Sequence, residues 1–178
     1  MSRSAGPALP LPDPPLVDAE LSLRAWERAD AVVLATAWED PDVARWTGVP
    51  DAHDTAAARR WIDGDLARRQ HSLSLDLAVV VAGSVVGEVG LAAFDHTSGE
   101  AEIGWWIAPA HRGRGLATRA VQAVASWALE ELCVDRLVAA CHPDNPASGA
   151  VARGAGFQGP EPGPLGVDLW RMPGTISA

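Results

Sequence analysis

The chain has 178 residues, 48% of them apolar and 21% charged, ordinary proportions for one globular domain with a core of its own. It contains no Tyr and no Lys, so all fourteen basic residues are Arg, which excludes a Tyr acid, a Lys Schiff base and a Walker-type phosphate lysine. The net charge of −9 argues against non-specific nucleic-acid binding and suits a cationic or amine partner.

Residues 1–15 carry five prolines and little apolar content and read as a mobile tail, leaving 16–178 as a single domain. From Val17 to Ala25 apolar and polar residues alternate, the period of a half-buried strand. A helix is expected over 28–38, stopped by Asp40-Pro41, and a second over 55–70 with Asp54 as its cap. Strands over 73–82 and 85–95 flank Gly83-Ser84 as a hairpin turn, and a third strand, 100–108, ends at Pro109. The segment HRGRG then opens a long helix over 115–132 with an apolar stripe at Ala117, Val121, Val124, Ala128 and Leu132. A strand over 136–141 follows. A short helix runs from Pro146 to about Ala155, with Asn145, the only Asn in the chain, as N-cap and Gly156 as terminator. Phe157 and 167–172 supply late strands.

Two cysteines, Cys133 and Cys141, are too few for a disulfide scaffold and have no Cys/His cluster around them, so no metal site is expected and a reducing cytoplasm is the default. The N-terminus has no continuous apolar signal segment, and the longest apolar run, 77–87, is far short of the roughly 20 residues of a membrane span. The expectation is a soluble, unexported protein that engages neither membrane nor nucleic acid.

A strand, the loop Arg112-Gly113-Arg114-Gly115-Leu116-Ala117 and a helix together make an anion site. The first helical N–H groups lack partners, the macrodipole is positive there, and glycines let the backbone approach a ligand while two Arg add forked donors. The pattern reads as a pyrophosphate cradle, without the Gly-Lys-Ser/Thr ending of a Walker loop or the three glycines of a dinucleotide motif. A glycine turn that merely joins strand to helix is the plain alternative.

The segments AEIGWWIAPAHRGRGLATRAV and CHPDNPASGAVARGAGF resemble the GNAT superfamily of acyl-CoA-dependent N-acyltransferases, most closely its RimJ/RimL-type branch, named for acetylating N-terminal amines of ribosomal proteins. The resemblance runs over about 16–172, including the opening LSLRAWERADAVVLATAWEDPDVARWTG. It implies an α/β (α+β) GNAT fold: a mixed, strongly twisted sheet with a splayed strand pair, helices on both faces, and acetyl-CoA in the opening. It also implies that backbone groups near Trp106 and Ile107 hold the pantetheine arm. Amides from Gly113 through Leu116 to Ala117 hold the pyrophosphate beside Arg112 and Arg114, Thr118 adds a hydroxyl, and Asn145 contacts the pantetheine amide.

Acyl transfer needs a neutral amine, stabilisation of the oxyanion and protonation of the departing thiolate. Ile107 N–H is the candidate oxyanion donor. Glu102, on the face shared by Gly104 and Trp106, is the candidate base, with Glu88 as competitor and a plain strand carboxylate as the bland reading. Members of the family that use a Tyr acid have no counterpart here; Ser148, three residues after the Asn, matches the branch's serine and is the candidate acid, against a first-turn Ser that serves only its helix. Gly149 and Gly154 depart from the family's usual charged residues. His111 and His142 read as solvated loop residues, and Cys141 as core packing rather than an acyl-cysteine.

For the acceptor, Trp46 with Asp42 and Asp51 is expected to border an amine-binding cleft, while Trp61 reads as core. The expected enzyme is an N-acetyltransferase acting by direct attack on a protein N-terminus or a small-molecule amine. The alternatives are an aminoglycoside-type drug acetyltransferase and a non-catalytic acyl-CoA sensor or interaction domain. Donors such as succinyl-CoA stay open, and a homodimer is implied by family habit alone.

Overall fold

The computed structural model describes residues 8–132 and 134–174; Cys133 and residues 1–7 of the Pro-rich segment lie outside them. Part of the segment from Ala8 onward touches the domain, although Pro10 and residues 13–15 are exposed. Leu9 N–H donates to Arg69 C=O (3.1 Å), Arg69 donates back to Leu9 C=O (2.7 Å), and Leu9 and Leu11 rest on the core.

Eight strands form one sheet, in the spatial order β1-β2-β3-β4-β5-β6-β8-β7. The alternating stretch expected as a single strand is two, β1 (Leu16–Asp18) and β2 (Leu21–Ala25), paired as a hairpin with Asp18 opposite Leu21. The two-residue turn Ala19-Glu20 sets Asp18 opposite Leu21 and so switches which parity faces the core: Val17 is exposed while Leu16, opposite Leu23, packs on it, and the unbroken alternation of the sequence hides the fold-back. The first helix opens with a 3-10 turn and continues as α1 (Ala31–Trp38); Arg24 holds it to β2 through Asp30 (2.7 and 3.1 Å). Asp40 then starts α2 (Pro41–Trp46), which was not expected, accepting from Asp42 and Val43 N–H with Pro41 in the first turn. The long helix expected over 55–70 breaks at Gly64 into α3 (Thr55–Asp63) and α4 (Asp65–Gln70), with Asp54 capping α3 through Ala57 N–H (2.6 Å).

β3 (Ser74–Val81), β4 (Ser84–Asp95) and β5 (Glu100–Ile107) form an antiparallel meander. Its first turn is Ala82-Gly83, one residue earlier than expected, because both residues have positive φ (49° and 78°), the requirement of a type I′ turn. Then come α5 (Leu116–Glu131), β6 (Arg136–Cys141), α6 (Pro146–Gly154), the exposed edge strand β7 (Gln158–Pro162) and β8 (Asp168–Pro173). Two prolines on β7 suit an edge that must not recruit another strand.

Each face of the sheet has its own core. On one, Leu75, Leu77, Val79, Val89, Leu91 and Ile103 pack against Ala120, Val121, Val124, Ala125 and Ala128 of α5. On the other, Ala78, Val80 and Trp106 pack against Leu34 and Trp38 of α1 and Ala58 and Ile62 of α3. Helices therefore cover both faces, as a sheet with apolar residues on alternate sides demands. β5 and β6 are parallel but pair only at Glu100↔Arg136, Ala101↔Leu137 and Glu102↔Val138; beyond them the strands diverge, which is the expected splay.

Candidate functional site

The splay leaves part of β5 without a neighbour, and the register says which groups are free. Ala108 N–H donates to Val86 C=O (2.8 Å), and Gly87 lies opposite Ile107. Backbone groups alternate sides along a strand, so Trp106 bonds toward β4 while Trp105 and Ile107 point their N–H and C=O groups into the opening. Trp105 thus joins Ile107 as an edge residue in place of the Trp106 backbone. Gly87 is required opposite this segment, since a Cβ there would collide with the Trp106 carbonyl oxygen.

A groove of about 720 Å³ follows this edge. It is lined by Trp106, Ile107, Arg112, Gly113, Gly115, Leu116, Ala117, Thr118, Asn145 and Ser148, joined by Trp46 and Asp42. Gly113 and Gly115 both have φ of 73°, which turns successive N–H groups toward one point at the head of the 16-residue α5. A Cβ at either glycine would meet nothing, so their identity answers to backbone conformation and to whatever lies in the groove. Asn145 caps α6, its Oδ1 accepting from Ser148 N–H (3.3 Å), which leaves the amide NH2 to donate elsewhere. Gly154 admits the close approach of α6 to α5: a Cβ there would stand 3.0 Å from Thr118 Cγ2. Arg114 does not line the groove. His111 does, half-buried with Nδ1 out of solvent and unpartnered, so it is not the solvated loop residue expected.

A second cavity of about 380 Å³ lies beneath α1, α2 and α3 on the same face of the sheet. Its walls include Trp38, Trp46, Trp61, Trp105 and Trp106, five of the chain's eight tryptophans, and its polar groups come from Ser74, Asp76, Glu88, Glu102 and Ser148. Trp46, Thr47, Trp105, Trp106 and Ser148 line both spaces, so groove and cavity meet at the splay. Trp61, read as core, is also cavity wall; Trp38 packs edge-on against it at 6.2 Å and Arg68 lies over it at 4.1 Å.

The three carboxylates of this cavity differ. Glu88 is half-buried, accepts from the Trp106 indole N–H at 3.2 Å, and keeps Oε2 out of solvent with no partner. Burial, then the nearby Asp76 charge, push its pKa up to about 8, against smaller opposite pulls from the Trp106 and Trp26 indoles and Arg68. Asp76 is raised by burial although Ser74 donates to it (2.6 Å) and Arg68 stands 3.5 Å away. Glu102 is also raised by desolvation, yet its side chain reaches the water of the open cavity. Cys141 lines the same wall; burial first, then Asp168 and Glu102, push its thiol up to about 11, so it stays protonated and is no nucleophile near neutrality.

Two of the expected acceptor residues stand elsewhere. Asp42 is ion-paired to Arg112 (2.8 Å) at the groove, and Asp51 is exposed and lines neither space. The carboxylates in the cavity come instead from the strands. Asp76 was missed, although a signal exists: Ser74, Asp76 and Glu88 interrupt runs that are otherwise apolar on both faces of a covered sheet. Trp46 lies 5.1 Å from the His142 ring and beneath Arg45 at 4.3 Å.

Among the described residues, no group of three or more potential ligands could hold a metal ion, and no helix is long and apolar enough to cross a membrane.

A family profile described as "Acetyltransferase (GNAT) domain" matches residues 20–158. The uncharacterized N-acetyltransferase p20 of Bacillus licheniformis is 31% identical over 140 residues, 78% of this chain and 79% of that protein. The ribosomal-protein-serine acetyltransferase of Escherichia coli (strain K12) is 26% identical over 99 residues, 56% of this chain and 55% of that one. Among solved structures, Mycobacterium smegmatis RimJ in complex with CoA-disulfide superimposes with a TM-score of 0.76 at 22% identity, covering 86% of this chain and 81% of that chain.

Proposed function

The chain belongs to the GNAT acetyltransferase family and is an N-acetyltransferase, and on that basis we propose that it moves the acetyl group of acetyl-CoA to a primary amine, an N-terminal α-amine of a protein or a small-molecule amine, by direct attack. The observation that carries this reading is the meeting of groove and cavity at Trp46, Thr47, Trp105, Trp106 and Ser148. A donor in the groove and an amine in the cavity would come together at these residues.

In this reading the α5 N-terminus and the amides of Gly113 to Ala117 hold the pyrophosphate, with Thr118 adding a hydroxyl. Trp105 binds the pantetheine arm as an added strand, the Ile107 C=O being engaged by Arg112 Nε (2.8 Å), and the Asn145 NH2 contacts its amide. The amine nitrogen attacks the thioester carbonyl, and the developing oxyanion takes a hydrogen bond from Ile107 N–H. Collapse breaks the C–S bond. The amine proton passes through water to Glu102, while the Ser148 hydroxyl donates a hydrogen bond to the departing sulfur and passes it a proton only as it takes one from water, so that Ser148 ends neutral. Glu102 suits the base role better than Glu88, which is held largely protonated at neutral pH and is already hydrogen-bonded to Trp106. Cavity carboxylates and indole faces attract the ammonium form of the acceptor before it loses its proton.

The ribosomal name of the Escherichia coli relative makes a protein N-terminus the first acceptor to try, in a cytoplasmic setting. The test is mass spectrometry of a library of peptides and amines incubated with the protein and acetyl-CoA. One acetyl group should be added to a free amine, and Ser148→Ala should slow the addition by about tenfold while CoA binding is retained. CoA binding without transfer to any amine would instead support the sensor.

A further inference from the structure

Arg112 is the most heavily engaged side chain of the groove. Its Nε donates to Ile107 C=O at 2.8 Å, Nη1 to Asp42 Oδ2 at 2.8 Å and Nη2 to Asp40 Oδ1 at 2.9 Å. The same Asp40 oxygen caps α2, accepting from Asp42 and Val43 N–H. Burial works against ionisation of Asp40, yet the Val43 N–H and Arg112 hold its pKa below the usual carboxylate range, so this oxygen stays a charged acceptor. One guanidinium therefore faces two carboxylates, and an approaching phosphate meets a cluster of net charge −1 there.

At its other end α2 carries Trp46, which lines both spaces and rests against His142. Arg45, over the Trp46 ring, reaches toward Asp144 at 4.0 Å. α2 has six residues and a length of about 9 Å, too short to hold itself in water. Val43 seats its middle in the helix-side core, and contacts at its two ends fix how it lies there: the loop after β5 at one, the loop after β6 at the other.

We propose that Arg112 is a positioning residue for the acceptor side and not a phosphate ligand: by clamping Asp40 and Asp42 to the end of β5 it sets α2, and through α2 the Trp46 wall where cavity and groove meet. Its loss then impairs use of the acceptor while acyl-CoA binding persists. This rests on the assignment of groove to donor and cavity to acceptor given above.

The test uses the full chain and Arg112→Gln, with Arg112→Lys and Asp42→Asn beside it. CoA affinity is measured by titration calorimetry, and acceptor KM and kcat at saturating acetyl-CoA. The position of Trp46 is read from the His142 imidazole proton resonances, identified by their loss in His142→Gln and displaced in the wild type by the Trp46 ring current. For Arg112→Gln, acceptor KM should rise about tenfold with CoA affinity within about twofold. The His142 resonances should move to the positions found in Trp46→Leu. Arg112→Lys, a point charge that cannot reach three acceptors at once, should fall between, as should Asp42→Asn. A CoA affinity weakened about tenfold or more, with His142 resonances and acceptor KM unchanged, would make Arg112 a phosphate ligand and overturn the proposal. Failure of the wild type to bind CoA would count against the donor assignment alone, because the His142 resonances still report whether Arg112 holds α2.

Discussion

The donor groove and the acceptor cavity touch at five residues yet are built by opposite means. The groove is largely backbone: two left-handed glycines, the head of a long helix, and the unpaired edge of β5 at Trp105 and Ile107. The cavity is largely side chain: five indoles and three carboxylates from α1, α2, α3, β3, β4 and β5. A ligand common to many enzymes can be held by features that every residue possesses. One that differs between enzymes has to be read by side chains, so substitutions should act differently on the two sides of the splay.

The largest expected effect is at Gly115. Gly115→Val puts a β-branched residue at φ 73°, a strain of about 1–2 kcal/mol, and a side chain on the surface a phosphate approaches. Calorimetry should show CoA affinity reduced by about a hundredfold or more, well beyond the strain itself, with a melting temperature lowered by only a few degrees. Next is Glu102→Gln, which should lower kcat by about a hundredfold with CoA affinity unchanged. The raised pKa of Glu102 also fixes a sign: the ionised form is the base, so kcat/KM of the wild type falls as pH drops, beginning above the ordinary carboxylate range, and the variant loses that limb. Gly104→Val separates the two regions most cleanly. Its Cβ meets nothing, its φ is unstrained, and it opens on the cavity, so acceptor KM should rise about tenfold while CoA affinity and the melt stay put.

The remaining effect is on stability and its pH dependence. Glu88 binds its proton up to about pH 8 in the folded chain and only to its ordinary value, 4.5, when unfolded. Between those values the folded state holds more protons, so stability falls as pH rises, by up to about 1.4 kcal/mol per pH unit. Glu88→Gln should flatten that slope in urea melts at pH 5 to 8, and an unchanged slope would show that Glu88 is ionised when folded.

The same contrast explains what could be read in advance. Gly113, Gly115, Pro146 and Asn145 do local jobs at fixed spacings, so the loop, the head of α5 and the cap of α6 are visible in the chain. The acceptor side depends on which distant residues meet. Asp42 and Asp51 lie near Trp46 in sequence, but the Asp40 cap turns α2 so that Asp42 faces Arg112, 70 residues away. Asp76 and Glu88 come together only through the pairing of β3 with β4. Turn chemistry accounts for the remaining differences: Ala19-Glu20 folds an alternating run back on itself, Ala82 takes a positive φ without being glycine, and Gly64 interrupts a helix whose apolar period continues beyond it.

The most direct measurement of the central claim is acetyl transfer under single-turnover conditions, with the protein in excess over acetyl-CoA and an acceptor peptide bearing a free N-terminal amine. Thiol release and acetylated peptide are quantified together, in the wild type and in Glu102→Gln. Direct attack requires one thiol for each acetyl group on the amine, with both slowed together in the variant. Thiol release without acetylated amine, or equal rates in the two proteins, would contradict direct attack at the junction of groove and cavity.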